Sequence, residues 1–164
     1  MDEVRDPFDV VFVQGGVGGL LCGIASWCAM HRPHVRVVCV EPSSAACLQA
    51  SARAGQPVTV NGPLTTAMAG LRNREVSPPA FAAALPIVRA FAAIEDAWAE
   101  RAMRELNTYG IRAGASGAAA LGGLLAVTEH PSMLDARHAL ALADRKSTRL
   151  NSSHVSESRM PSSA

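Results

Sequence analysis

Residues 10–20 read VVFVQGGVGGL, and the reading of this stretch decides the fold. VVFVQ is a short apolar run rich in β-branched residues, and it stops directly in glycines. Four of the next five residues are glycine: Gly15, Gly16, Gly18 and Gly19, with Val17 between the pairs. Residues 20–30 then carry a buried-helix pattern. Strand, glycine loop, helix is the opening of a parallel α/β unit. Glycine allows positive φ and close backbone approach, so several N–H groups can turn inward together. The helix that follows adds unpaired N–H groups and the positive end of its dipole, which suits a phosphate. A tight strand–helix turn holding no ligand is the plain alternative.

Moving outward, residues 35–40 (VRVVCV) form a second strand closed by Glu41-Pro42. Residues 43–54 read as a helix, with Ser43 or Ser44 as N-cap and Gly55 just past its end. Residues 58–60 are expected as a short third strand before the turn at Asn61-Gly62-Pro63. The unbroken apolar character of the first two strands fits a sheet covered on both faces. Beyond residues 65–71 the pattern turns mostly helical. Amphipathic helices are expected over 78–91 and 95–106, with Trp98, Ala102 and Leu106 on one buried stripe. Residues 116–130 (SGAAALGGLLAVTEH) form an Ala/Gly-rich helix that must pack closely against a neighbour. Ser132 caps a last helix running to 143.

The whole chain has 164 residues, 49% hydrophobic and 18% charged, with a net charge of +1. Such a chain can bury a sizeable core and is too apolar for general disorder. Its near-neutral balance removes the electrostatic basis for nucleic-acid binding. The acidic N-terminus, MDEVRDPFDVVFV, lacks the positive start of an export signal, so a cytoplasmic location is expected. No stretch is long and apolar enough to predict a membrane span. Cys22, Cys28, Cys39 and Cys47 show no metal-ligand spacing and read as free, buried thiols. His31 and His34 flank a turn and read as exposed, and His130 reads as a helix C-terminus. Glu129 reads as solvated, and Asp135 and Glu105 have no partner at telling spacing. No Ser-His-Asp set and no GxSxG elbow is present.

Two cofactor classes compete for the loop. A dinucleotide fold wants GxGxxG, but Gln14 stands where the first glycine belongs. That fold also wants an acid closing the second strand, and Glu41 supplies it. A flavin or nicotinamide Rossmann domain therefore stays open at this point. A loop gripping the phosphate of pyridoxal 5'-phosphate is the other class, and for it Gln14 is no defect.

Four segments, VQGGVGGLLCGI (13–24), VEPSSAACLQAS (40–51), GQPVTVNGPLTTAMAGL (55–71) and RAGASGAAALGGLLAV (112–127), together resemble the diaminopropionate ammonia-lyase family in order and spacing. Those lyases are fold-type-II pyridoxal-phosphate enzymes, of the tryptophan-synthase β type. The resemblance covers about residues 10–143. It departs at Arg72, Asn73 and Arg74, where the family usually has a Cys-Gly-Glu segment after MAGL, and at Ala115, where a Glu commonly precedes the Ser-Gly. For the fold, the resemblance implies a partial three-layer α/β structure: a parallel sheet with flanking helices. For the activity, it implies α,β-elimination of 2,3-diaminopropionate to pyruvate and ammonia, the cofactor serving as electron sink. Other members of that fold, such as threonine or serine dehydratases, remain an alternative. The resemblance also implies a small amino-acid substrate and a homodimer in the full-length enzyme. Carried over by position, cofactor phosphate binding falls on the backbone N–H groups of Gly15, Gly16, Val17, Gly18 and Gly19. Ser116-Gly117 matches a motif near the cofactor, with a helix N-cap as its equal alternative. No residue here matches the lysine that carries the cofactor, so catalytic residues are assigned to none.

Composition breaks at Asp144. Residues 1–143 hold 7 serines, and the 21 residues after them hold 7 more. The stretch DRKSTRLNSSH reads as a sequencing-library adapter translated in frame. Residues 144–164 are therefore expected to be a disordered, non-native tail, and residues 1–143 a partial cofactor-binding domain of a longer enzyme. The single lysine, Lys146, belongs to that tail, and residues 1–143 carry a net charge of −1.

Overall fold

The computed structural model describes residues 7–140. The expectations for 144–164, and for the last helix beyond residue 140, lie outside the described residues. Three parallel strands, β1 (Val10–Gln14), β2 (Arg36–Pro42) and β3 (Val88–Ile94), form one sheet in the order β1-β2-β3. Register pairs Val10 with Arg36 through Gln14 with Val40, and Val38 with Ala90 through Pro42 with Ile94. Among the described residues six helices flank the sheet: α1 (Gly19–His31), α2 (Cys47–Ala54), α3 (Pro78–Ala84), α4 (Asp96–Thr108), α5 (Ala115–Glu129) and α6 (Leu134–Ala139).

Period-2 alternation along β2 sorts the core into two layers. Val37 and Cys39 face Leu21, Ala25 and Cys28 of α1, Cys47 and Leu48 of α2, and Phe81 and Ala84 of α3. Val38 and Val40 face the opposite way, toward Ala99 of α4 and Ala119, Ala126 and Val127 of α5. With both faces covered, β2 is buried from Val37 to Pro42. The three-layer expectation is met.

The close packing expected of the Ala/Gly-rich helix is also present. A Cβ on Gly122 would lie 3.0 Å from the backbone of Trp98, and one on Gly123 would drive into both methyls of Val40. These two glycines let α5 sit against α4 on one side and the sheet on the other. Trp98 itself is half-buried, and Ala99 and Ala102 are the buried positions of α4. The Trp98 ring meets the His130 ring edge-on and the Arg101 guanidinium lies 5.7 Å above it.

Four expectations are corrected. Residues 58–60 are not a strand of the sheet: Val60 donates its N–H to the Arg74 carbonyl, and Val58 donates to Ser51 Oγ. Pro57 and Pro63 bracket this stretch and leave it too short to join a ladder. The sheet's third strand is instead β3, inside the stretch expected as a helix over 78–91. Pro86 has no N–H to continue the helical ladder, so α3 ends at Ala84 and the chain re-forms as a strand from Val88. The helix expected over 43–54 begins as a 3-10 turn, Ser43–Ala45, and becomes α-helical only at Cys47. Neither serine caps it. Gly55 does end it, in the left-handed conformation at φ +70°. At the far end His130 accepts the Ser132 N–H, so Ser132 is the capped residue rather than the cap.

Candidate cofactor-phosphate site

The glycine loop leaves β1 and enters α1 at the C-terminal edge of the sheet. Gly15 is buried and donates its N–H to the Val40 carbonyl at 2.7 Å, extending the β1–β2 ladder by one bond. A Cβ at Gly15 would sit 2.6 Å from Cys39 Sγ and 2.8 Å from Leu48 Cδ1, so only glycine fits this contact. Gly18, at φ +106°, is the N-cap of α1, a conformation L side chains rarely adopt. Cys22 makes the first helical bond, to the Gly18 carbonyl at 2.8 Å. The N–H groups of Gly16, Val17, Gly18 and Gly19 have no acceptor among the described residues. Four adjacent donors, the head of a 13-residue helix and an open face at Gly19, where a Cβ would meet nothing within 4 Å, make this loop a candidate anion cradle.

Side chains gather around it from distant segments. The Gly16 face is walled by Asn73, whose Nδ2 would lie 3.0 Å from a Cβ there, and by the Gly70 carbonyl at 3.4 Å. Gly70, in the 3-10 turn Ala69–Leu71, donates its N–H to Ser116 Oγ at 2.9 Å. Ser116 therefore joins α5 to the loop's wall, and the helix N-cap role goes to Gly114. The 65–71 segment is held by Asp96, which accepts from the Thr66 hydroxyl and from the Ala67 N–H at 2.7 Å. Ser77 donates to the Val17 carbonyl at 2.7 Å and fixes the loop's outer edge. Asn73, Ser77, Thr66 and Asp96 escaped the sequence reading, because nothing in their local patterns marks contacts this distant in the chain. Asn73 alone carried a hint, as part of the departure after MAGL.

Glu41 lies underneath. It is 1% exposed, and its two oxygens accept the N–H groups of Leu48 and Gln49, each at 2.8 Å. Burial pushes its carboxyl up to about 7, against the opposing pull of these hydrogen bonds and one from Cys47. A dinucleotide domain needs this acid free to meet a ribose; here it is turned inward and capping α2. The Rossmann alternative loses the feature that supported it. All four cysteines are free, with Cys28, Cys39 and Cys47 buried. Burial, with the Glu41 charge adding to it, pushes the Cys47 thiol up to about 12 and raises Cys39 as well. Both stay protonated and unreactive.

Elsewhere, Glu129 forms a two-bond exposed pair with Arg101. A separate cavity lies between the C-terminal end of α4 and the approach to α5, lined by residues including Met103, Asn107 and Ile111. Among the described residues no group of three or more His, Cys, Asp or Glu is placed to hold a metal, and no helix is long and apolar enough to cross a membrane.

Residues 1–135 match the family model described as pyridoxal-phosphate dependent enzyme. Diaminopropionate ammonia-lyase of Escherichia coli K12 is 34% identical over 139 residues, covering 80% of this chain and 35% of that enzyme. The L-threonine dehydratase of Salmonella typhimurium is 44% identical over 50 residues, or 30% of this chain and 10% of that one. In three dimensions, the E. coli diaminopropionate ammonia lyase in complex with an aminoacrylate-PLP azomethine reaction intermediate superposes with a TM-score of 0.72 at 32% identity. That match covers 86% of this chain and 37% of the other. A fungal L-serine ammonia-lyase from Rhizomucor miehei follows with a TM-score of 0.67 at 27% identity, covering 77% and 40%. The chain thus spans about a third of the length of the curated lyase it matches.

Proposed function

Because the chain belongs to the pyridoxal-phosphate dependent enzyme family, we propose that it forms the phosphate-holding part of a lyase that eliminates ammonia from 2,3-diaminopropionate. The observation that carries this reading is the row of unpaired donors from Gly16 to Gly19 at the head of α1. The cofactor's phosphate suits this place: four successive donors have no acceptor among the described residues, the face is open at Gly19, and the dipole of α1 favours a dianion. Gly15 belongs to the site by shape, since its own N–H is bonded to Val40. Asn73 walls the loop on the Gly16 side, and Ser116 holds Gly70 beside it. When bound, the cofactor supplies an electron sink for loss of a proton from the substrate Cα. This chain's part is to anchor the phosphate, with glycines keeping side chains out of the loop. Residues 7–140 contain no lysine, so the amine that carries the cofactor comes from elsewhere in the enzyme. A small amino-acid substrate, a homodimeric enzyme and a cytoplasmic location belong to the same proposal.

The shorter match to threonine dehydratase supports a second reading, in which the substrate is a hydroxy amino acid. Replacing the matched segment of E. coli diaminopropionate ammonia-lyase by residues 10–140 separates the two. Release of pyruvate from 2,3-diaminopropionate, with little turnover of threonine, is the expected outcome. Turnover of threonine alone would favour the dehydratase reading, and a folded chimera that binds no cofactor would remove both.

A further inference from the structure

The wall of the phosphate loop is visible in its glycines, but its floor is the first turn of α2. Leu48 Cδ1 and Cδ2 lie under Gly15 and Gly18, at 2.8 Å and 3.3 Å from where their Cβ atoms would be. The Cys47 thiol donates to the Gly16 carbonyl at 3.6 Å. That turn has no capping side chain from its own N-cap, Ala46. What holds it is Glu41, reaching from the end of β2 to the N–H groups of Leu48 and Gln49. The stem of Glu41 also touches the loop, its Cγ lying 3.0 Å from a Cβ at Gly15.

We propose that Glu41 is a positioning residue for the phosphate loop: its carboxylate clamps the first turn of α2 as the floor on which Gly15, Gly16 and Gly18 rest, so that ionised Glu41 sets the loop for a phosphate. The inference rests on the loop being a phosphate site, as proposed above. Only the carboxylate offers an acceptor to both N–H groups. A neutral carboxyl, like the amide of glutamine, presents one good acceptor and turns its other end's hydrogens toward a donor. The groups that act on Glu41 are the Cys47 thiol from α2 and the Leu48 and Gln49 N–H groups, while Cys39 is its neighbour on β2. Both thiols are protonated throughout the working range, so the titration in this site belongs to Glu41. Its position near 7 makes the clamp sensitive within an ordinary pH range.

The test compares the 164-residue chain with its Glu41→Gln variant, titrating each with pyridoxal 5'-phosphate and, separately, with inorganic phosphate. Fluorescence follows the first ligand and phosphorus NMR the second. At about pH 8.5 the variant should bind about tenfold more weakly, the effect of one lost charge-assisted bond, and at about pH 5.5 the two should bind alike. The ratio of the two affinities removes the phosphate's own ionisation. Equal binding at both pH values, or tighter binding by the variant, overturns the proposal. A uniform weakening at both also overturns it, since that marks a merely structural role. A second reading needs no variant. In the wild-type chain the backbone amides of Leu48, Gln49, Gly16 and Gly18 should titrate together with a midpoint of about 7. Titration of Leu48 and Gln49 without the glycines contradicts the clamp. If phosphate binds with the expected ratio but pyridoxal 5'-phosphate does not, the cofactor reading fails while Glu41 keeps its role. Binding of neither ligand overturns both.

Discussion

At the residue scale, the loop's glycines fall into different physical classes, and substitution should separate them. Gly15→Ala forces a methyl group into Cys39 and Leu48 and should cost about 1–3 kcal/mol of stability, read as a shift in denaturant midpoint. Gly19→Ala meets nothing within 4 Å and sits in the first turn of α1, so stability should hold or rise slightly. Its methyl occupies the open face of the cradle, and phosphate affinity should fall at least severalfold. A Gly19→Ala variant that is stable and binds normally would remove Gly19 from the site. Glu41 adds a pH dependence whose sign is fixed. Its folded-state value, about 7, lies above the ordinary 4.5, so the native state holds a proton that the unfolded chain releases. The associated stabilisation is complete below about pH 4.5 and is lost as pH rises through 7, by roughly 3 kcal/mol at most. Wild-type midpoints should therefore decline from about pH 5 to 8, while Glu41→Gln stays flat across that window. The charge that positions the loop is thus held against the stability of the fold.

At the scale of elements, α5 is the test case. Gly123 lets it press on Val40, and Gly122 lets it press on α4. Gly123→Ala should destabilise by about 2 kcal/mol or more, with part of the loss recovered when Val40→Ala makes room. Full additivity of the two changes in urea unfolding would contradict this contact. The helix's composition announced that packing, because only small residues on every face allow approach on two sides. The first two strands and the glycine loop were equally legible, each being a local pattern of a few residues. What local pattern could not show was β3. Its alanines at 90, 92 and 93 suit a helix as well as a strand, and burial under α5 decides the matter. Pro86 was the available signal. Glu41 is legible as the acid closing β2, but its direction depends on where α2 starts, and the serines at 43 and 44 suggest too early a start. The site's wall was illegible for a similar reason. Ser116 and Gly70 are 46 positions apart and meet only because α5 returns over the sheet.

At the scale of the whole molecule, β1 and β3 each pair only with β2 among the described residues. Two strand edges without a further strand among the described residues, with Val17 and Leu20 exposed beside the loop, put backbone edges next to apolar surface. Self-association that grows with concentration is the expected behaviour of the chain in sedimentation, and a monomer at all concentrations would show those edges to be protected. Anchorage of the phosphate by this chain is the claim on which the functional reading depends. It is tested most directly by following the backbone amide resonances of the dilute chain during titration with pyridoxal 5'-phosphate. Saturable shifts centred on Gly16, Val17, Gly18 and Gly19, lost when inorganic phosphate is in excess, are the expected result. Shifts confined to the cavity beside Met103 and Ile111, or none at all, would contradict it.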